Sequence, residues 1–124
     1  MRKITNDNQQ NNIYCNFITV TFYRMAFTNK QLIIIDFEVF GKVQDVFFRK
    51  HTALQAGRLN ITGWCKNTAS GTVKGQLEGT PRSVDEMKSW LQKIGSPSSK
   101  IEKAEFSNEK TVTKPQYRHF KIRL

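Results

Sequence analysis

Phe40-Gly41-Lys42-Val43-Gln44-Asp45-Val46-Phe47-Phe48-Arg49 joins an apolar, strand-like segment, Leu32–Phe40, to a helical pattern that runs from Phe48 to Leu59. A glycine turn between a strand and a helix N-terminus aims backbone N–H groups and the positive end of the helix dipole at one point. Such a point holds anions, phosphate above all. Arg49 falls in the first helical turn, where a guanidinium closes over the same anion with two hydrogen bonds.

Outward from this junction the pattern continues. Leu32-Ile33-Ile34-Ile35 opens a strand with a buried-looking run. Phe48, Ala56 and Leu59 are expected among the buried positions of the first helix. Gly57 weakens that helix by roughly 1 kcal/mol relative to Ala, and Asn60 can take the left-handed conformation at its end. Ile61–Thr68 and Gly71–Gly79 read as two strands of a hairpin. A second helix is capped by Thr80 or by Ser83, which has capping-box spacing to Glu86, and Pro81 suits its first turn. Val84, Met87, Leu91 and Ile94 recur along it at helical spacing beside Trp90, and Gly95 with Pro97 stops it. Lys100–Phe106 and Tyr117–Ile122 read as strands, separated by a polar connection carrying Pro115.

The order β-α-β-β-α-β, with a short final strand, predicts an α+β, ferredoxin-like sandwich: two helices on one face of a mostly antiparallel sheet. Residues 31–124 form the expected domain. Residues 1–30 are expected to be a poorly ordered extension, with Asn and Gln abundant over 4–16 and a weaker strand pattern over 17–27. Met25 is a candidate internal start.

Charge narrows the partners without choosing one. The 124 residues carry a net +10. Residues 1–24 hold three basic groups and one acidic group, so a net +8 sits on residues 25–124. The lysines there are spread singly, which reads as a solvated surface and not as a nucleic-acid patch. Cys15 and Cys65 are far apart and lack metal-ligand spacing, pointing to a reducing, cytoplasmic location, although a disulfide between them remains an alternative. Cys65, on a strand, reads as a buried small hydrophobe. His51 and His119 lie in unlike elements with no ligand partners at hand, so no metal and no cofactor is expected. No apolar run approaches the ~20 residues that cross a bilayer, and no secretory signal pattern opens the chain.

The hairpin carries the second constellation, Gly63-Trp64-Cys65-Lys66-Asn67-Thr68-Ala69-Ser70-Gly71-Thr72-Val73. In this topology the first and third strands are neighbours, so the turn after the first strand and the hairpin can converge. An amide side chain there orients a water by accepting one of its protons. Arg49 holding a phosphate and Asn67 holding a water would give catalysis by positioning and electrostatics, without a protein nucleophile.

These segments resemble the two signatures of the acylphosphatase family. The first, G-x-V-Q-G-V-x-F-R, is met from Gly41 to Arg49 except at Asp45, and the second, G-W-x-K-N-x3-G-x-V-x5-G, at every fixed position from Gly63 to Gly79. Met87–Leu91, Gly95–Ser99 and Phe106–Thr111 are also similar to the animal common-type and muscle-type enzymes. The resemblance spans about residues 32–124. It implies a monomeric, metal-free hydrolase that cleaves small acyl phosphates to a carboxylate and inorganic phosphate, with no nucleic-acid or membrane partner. It also implies that Arg49 and the loop amides of Val43, Gln44, Asp45, Val46, Phe47 and Phe48 bind the phosphoryl group. Asn67 then orients the water, and Thr68 supports the site.

Asp45 stands where the family normally has glycine. Asp tolerates left-handed backbone better than most residues, so the turn is expected to survive. Its charge is the harder matter. A carboxylate ~6 Å from a dianionic phosphate costs on the order of 1 to 5 kcal/mol between water-like and protein-like dielectric. The expectation is a weakened but working enzyme. One alternative is a catalytically impaired anion-binding module. The other is an RNA-binding module of the same topology, for which the third strand lacks the required aromatics.

Overall fold

The structure, a computed structural model, describes residues 31–124. The expected extension over 1–30, with its strand pattern over 17–27 and Cys15, lies outside the described residues. The elements are β1 (Leu32–Lys42), α1 (Phe48–Arg58), β2 (Thr62–Asn67), β3 (Val73–Gly79), α2 (Pro81–Lys93), β4 (Lys100–Val112) and β5 (Phe120–Arg123). The sheet order is β4-β1-β3-β2-β5. All pairs are antiparallel except β2 with β5, which run parallel.

Alternation along the strands sorts residues between the two faces of the sheet. Ile35, Phe37 and Val39 of β1, Cys65 of β2, and Val73 and Leu77 of β3 join one buried cluster. Phe48 and Ala56 of α1, and Val84, Met87, Trp90 and Leu91 of α2, pack into the same cluster from above. The Phe48 and Trp90 rings meet at 5.9 Å between the two helices. Burying a side chain such as Phe48 is worth about 1.5–3 kcal/mol, so the residue that ends the loop after β1 is also anchored in the core.

Several local expectations are corrected. Gly41 is not in a turn: β1 continues through it to Lys42. Glycine is needed there because a Cβ would stand 2.2 Å from the Lys100 carbonyl oxygen, where β4 presses against β1 at a register shift. The second helix is capped by Thr80, whose Oγ1 accepts from the Ser83 N–H, and not through Ser83. Ile94 is 65% exposed, because the helix ends at Lys93 and Trp90 takes the core position instead.

β4 runs six residues past the expected Phe106. A bulge opposite Ile35 interrupts its alternation, with Asn108 at φ 55°. Asparagine accepts that conformation, and its Nδ2 donates to Asp36 Oδ2 at 2.8 Å. β5 begins later than expected because Tyr117 is held outside the ladder. Its N–H and that of Gln116 donate to the buried Glu78 carboxylate at 3.0 and 2.6 Å, and the Thr62 hydroxyl donates to the same group at 2.9 Å.

Candidate active site

Three strand ends meet at one edge of the sheet. Val39 of β1 and Asn67 of β2 both pair with Val73 of β3, and β5 runs parallel to β2. The loop after β1, the end of β2 and the end of β5 therefore rise on the same side. They enclose a cleft of about 420 Å³ lined by Val43, Asp45, Phe47, Phe48, Arg49, Lys50, Asn67 and Ile122. Arg49 and Asn67, 18 residues apart in the chain, thus share one concavity. Gln44, Val46 and Thr68 do not line it.

Residues of the loop take turns facing in and out. Val43 and Val46 are buried, while Asp45 and Phe47 are exposed at φ 63° and φ 59°. Left-handed residues within a turn are the backbone pattern from which anion-binding concavities are made. Each costs on the order of 1–2 kcal/mol for a residue with a Cβ, offset here by burial of the two valines and Phe48. Asp45 meets the conformation expected of it.

Arg49, half-buried in the first turn of α1, donates from Nη1 to the Arg123 carbonyl oxygen at 3.1 Å. Arg123 itself lies over the Trp64 ring, 4.3 Å from its centroid. One of five guanidinium donors is thereby used to fix the group, and four remain for a ligand. Lys50 adds a second cation to the cleft wall.

Asn67 ends β2 on the helix-facing side, two residues after Cys65. Its Oδ1 is buried and has no hydrogen-bond partner among the described residues. A buried, unpaired amide oxygen costs about 1–3 kcal/mol, a cost that a bound water or substrate proton would remove.

Burial pushes the Cys65 thiol up to about 12, although the Arg49 guanidinium pulls the other way. The thiol is neutral at physiological pH and unfit as a nucleophile, as its strand position suggested. Among the described residues no three His, Cys, Asp or Glu side chains are grouped to hold a metal ion.

Two devices behind the cleft were not legible in the sequence. Gln44 Nε2 donates to both the Thr68 and Thr72 carbonyl oxygens, each at 2.9 Å, tying the loop to the hairpin. Thr72 Oγ1 donates to Glu38 Oε2 at 2.5 Å, so at the 2.6 Å contact between the two threonine hydroxyls Thr68 must be the donor. Thr68 Oγ1 also accepts from the Thr72 N–H at 3.2 Å. The Thr68 hydroxyl therefore closes the hairpin turn next to Asn67. Partners 24 and 28 residues away leave no local signal for Gln44, and Ile122 reaches the cleft only through the pairing of β5 with β2.

Known proteins resemble this chain in sequence and in fold. The acylphosphatase family model matches residues 35–122. The chain is 52% identical to mouse (Mus musculus) acylphosphatase-2 over 100 residues, covering 81% of this chain and 94% of the mouse protein. It is 51% identical to the human (Homo sapiens) acylphosphatase-2 over 96 residues, covering 77% and 97%. The crystal structure of acylphosphatase from Bacillus subtilis is similar in fold, with a TM-score of 0.68, 27% identity, and coverage of 74% of this chain and 99% of that one.

Proposed function

The chain belongs to the acylphosphatase family, and from that premise we propose that it hydrolyses acyl phosphates through Arg49, the loop amides and Asn67. The observation that carries this reading is the shared cleft of Arg49 and Asn67, with the Asn67 amide oxygen buried and unpartnered among the described residues. The phosphoryl group sits against the Arg49 guanidinium and the N–H groups of Val43 to Phe48. Asn67 accepts a hydrogen bond from the water, whose oxygen then faces phosphorus. The new P–O bond forms as the bond to the carboxyl oxygen breaks, and the electron pair leaves on the carboxylate. An acyl phosphate is already activated, so a non-bridging phosphate oxygen suffices to take the water's proton. Preorganised donors then supply most of the rate enhancement.

No metal or cofactor enters this scheme. The protein acts as a monomer in the cytoplasm, on a small substrate and not on nucleic acid. Among the described residues no helix is long and apolar enough to cross a membrane. The open face of the sheet presents Asp36, Glu38 and Glu105 together with Lys74, an excess of carboxylates that disfavours an RNA backbone.

Hydrolysis of benzoyl phosphate tests the proposal. Arg49→Gln and Asn67→Ala are expected to lose at least a hundredfold in kcat/KM with the fold retained, and chelators to change nothing. Near-normal turnover by either variant, or loss of activity on chelation, would refute the mechanism.

A further inference from the structure

The Phe47-Phe48 pair is split by its backbone. Phe48 is 1% exposed in the core, whereas Phe47, turned outward by its positive φ, is 74% exposed. Every other described aromatic residue is buried or half-buried. Burial of the neighbouring Val43, Val46 and Phe48 holds the left-handed backbone of this bulky residue, but nothing among the described residues covers its ring. Phe47 nevertheless lines the cleft of Arg49 and Asn67, and Ile122, 43% exposed, lines the same cleft.

The cleft also has more room than its anion requires, since about 420 Å³ is several times the volume of a phosphoryl group. With phosphate in the Arg49 cradle, the acyl part must leave the cradle across the remaining wall. We propose that Phe47, assisted by Ile122, forms the acyl-group subsite and selects apolar, especially aromatic, acyl phosphates over small ones. The proposal rests on the phosphate position inferred above. An aromatic acyl group gains ring–ring contact with Phe47 and covers both exposed side chains. An acetyl group is too small to do so.

The test compares benzoyl and acetyl phosphate as substrates, with inorganic phosphate as an inhibitor that reads the cradle alone. Phe47→Asn removes the apolar wall while suiting the left-handed backbone, and Phe47→Leu keeps an apolar wall. For Phe47→Asn the benzoyl-to-acetyl ratio of kcat/KM is expected to fall about three- to tenfold. The fall should come mainly through KM for benzoyl phosphate, which rises more than the inhibition constant of phosphate. Phe47→Leu should retain most of the ratio, and Ile122→Ala, outside the loop, should lower it. A ratio unmoved by Phe47→Asn, or benzoyl, acetyl and phosphate all weakened in parallel, would overturn the subsite. Hydrolysis that survives Arg49→Gln would instead remove the cradle, so the two failures are distinguishable.

Discussion

Replacing Gln44 tests whether the loop and the hairpin are one device. The alanine variant loses two neutral hydrogen bonds of 2.9 Å, each worth about 0.5–1.5 kcal/mol. The carbonyls left behind are not orphaned: Thr68 O still accepts from the Gly71 N–H and Thr72 O from the Thr68 N–H. The loss should therefore fall in the lower part of the range, about 1–2 kcal/mol. For a domain of this size that lowers Tm by roughly 4–8 °C per kcal/mol.

Gln44→Glu keeps the shape but sets a carboxylate against two carbonyl oxygens. It should cost about 1–3 kcal/mol more than alanine at pH 7. That excess arises because the folded state favours the neutral acid, so it is present above the ordinary pKa of a glutamate. It is recovered as pH falls, when the introduced carboxyl group is protonated and can donate one bond. Urea denaturation of wild type and both variants at about pH 7 and near pH 4, on either side of that titration, measures these differences.

The kinetic consequence is read from the alanine variant alone, since a new charge near the phosphate confounds the other. With the strut gone, Asn67 is no longer registered against Arg49, and small misplacements of reacting groups cost up to about a hundredfold. A fall in kcat of about tenfold or more on benzoyl phosphate is expected. An alanine variant within ~0.3 kcal/mol and twofold in kcat of wild type, or Gln44→Glu no less stable than Gln44→Ala at pH 7, would refute the coupling.

Asp45 is exposed at the cleft, so its repulsion of phosphate belongs near the water-like limit, about 1 kcal/mol. Asp45→Gly and Asp45→Asn should both raise kcat/KM about five- to tenfold at low salt, with the gain shrinking as salt is added. A gain with Gly but none with Asn would assign the effect to backbone strain. Cys65, raised from 9.0 to about 12, stays protonated in the folded state while the unfolded thiol ionises. Its contribution to stability is whole below pH 9 and declines toward pH 12, by at most about 1.4 kcal/mol per pH unit. Urea denaturation at pH 8 and 10.5 should show a shallower alkaline decline in Cys65→Ala than in wild type. Glu78→Ala strands the Gln116 and Tyr117 N–H groups and leaves the Thr62 hydroxyl only the Glu78 carbonyl oxygen at 3.4 Å. It should cost on the order of 3 kcal/mol in urea and loosen β5, raising KM because Arg123 no longer fixes Arg49.

The elements and the two signature segments were legible in the sequence because their signals are local. Apolar periodicity, Pro81 after Thr80, Gly95 before Pro97, and the spacing of Gly63-Trp64 with Lys66-Asn67 are all carried by residues a few positions apart. Boundaries failed where a partner strand decided them. Gly41 looked like a turn until β4 was seen against it, and the bulge at Asn108 hid the continuation of β4.

From sequence alone came the order of strands and helices, the left-handed tolerance of Asp45, and the expectation that Arg49 and Asn67 converge, which their shared cleft meets. Only the folded chain decided that Gln44 ties loop to hairpin, that Thr68 spends its hydroxyl on Thr72, that Arg123 steadies Arg49, and that Phe47 and Ile122 wall the cleft. The reason is physical: the hydrogen bonds among them join residues 4 to 74 positions apart, several of them across different strands. The side chains involved meet only once sheet register has placed them, and until then nothing in their neighbourhoods sets them apart from ordinary polar or apolar surface.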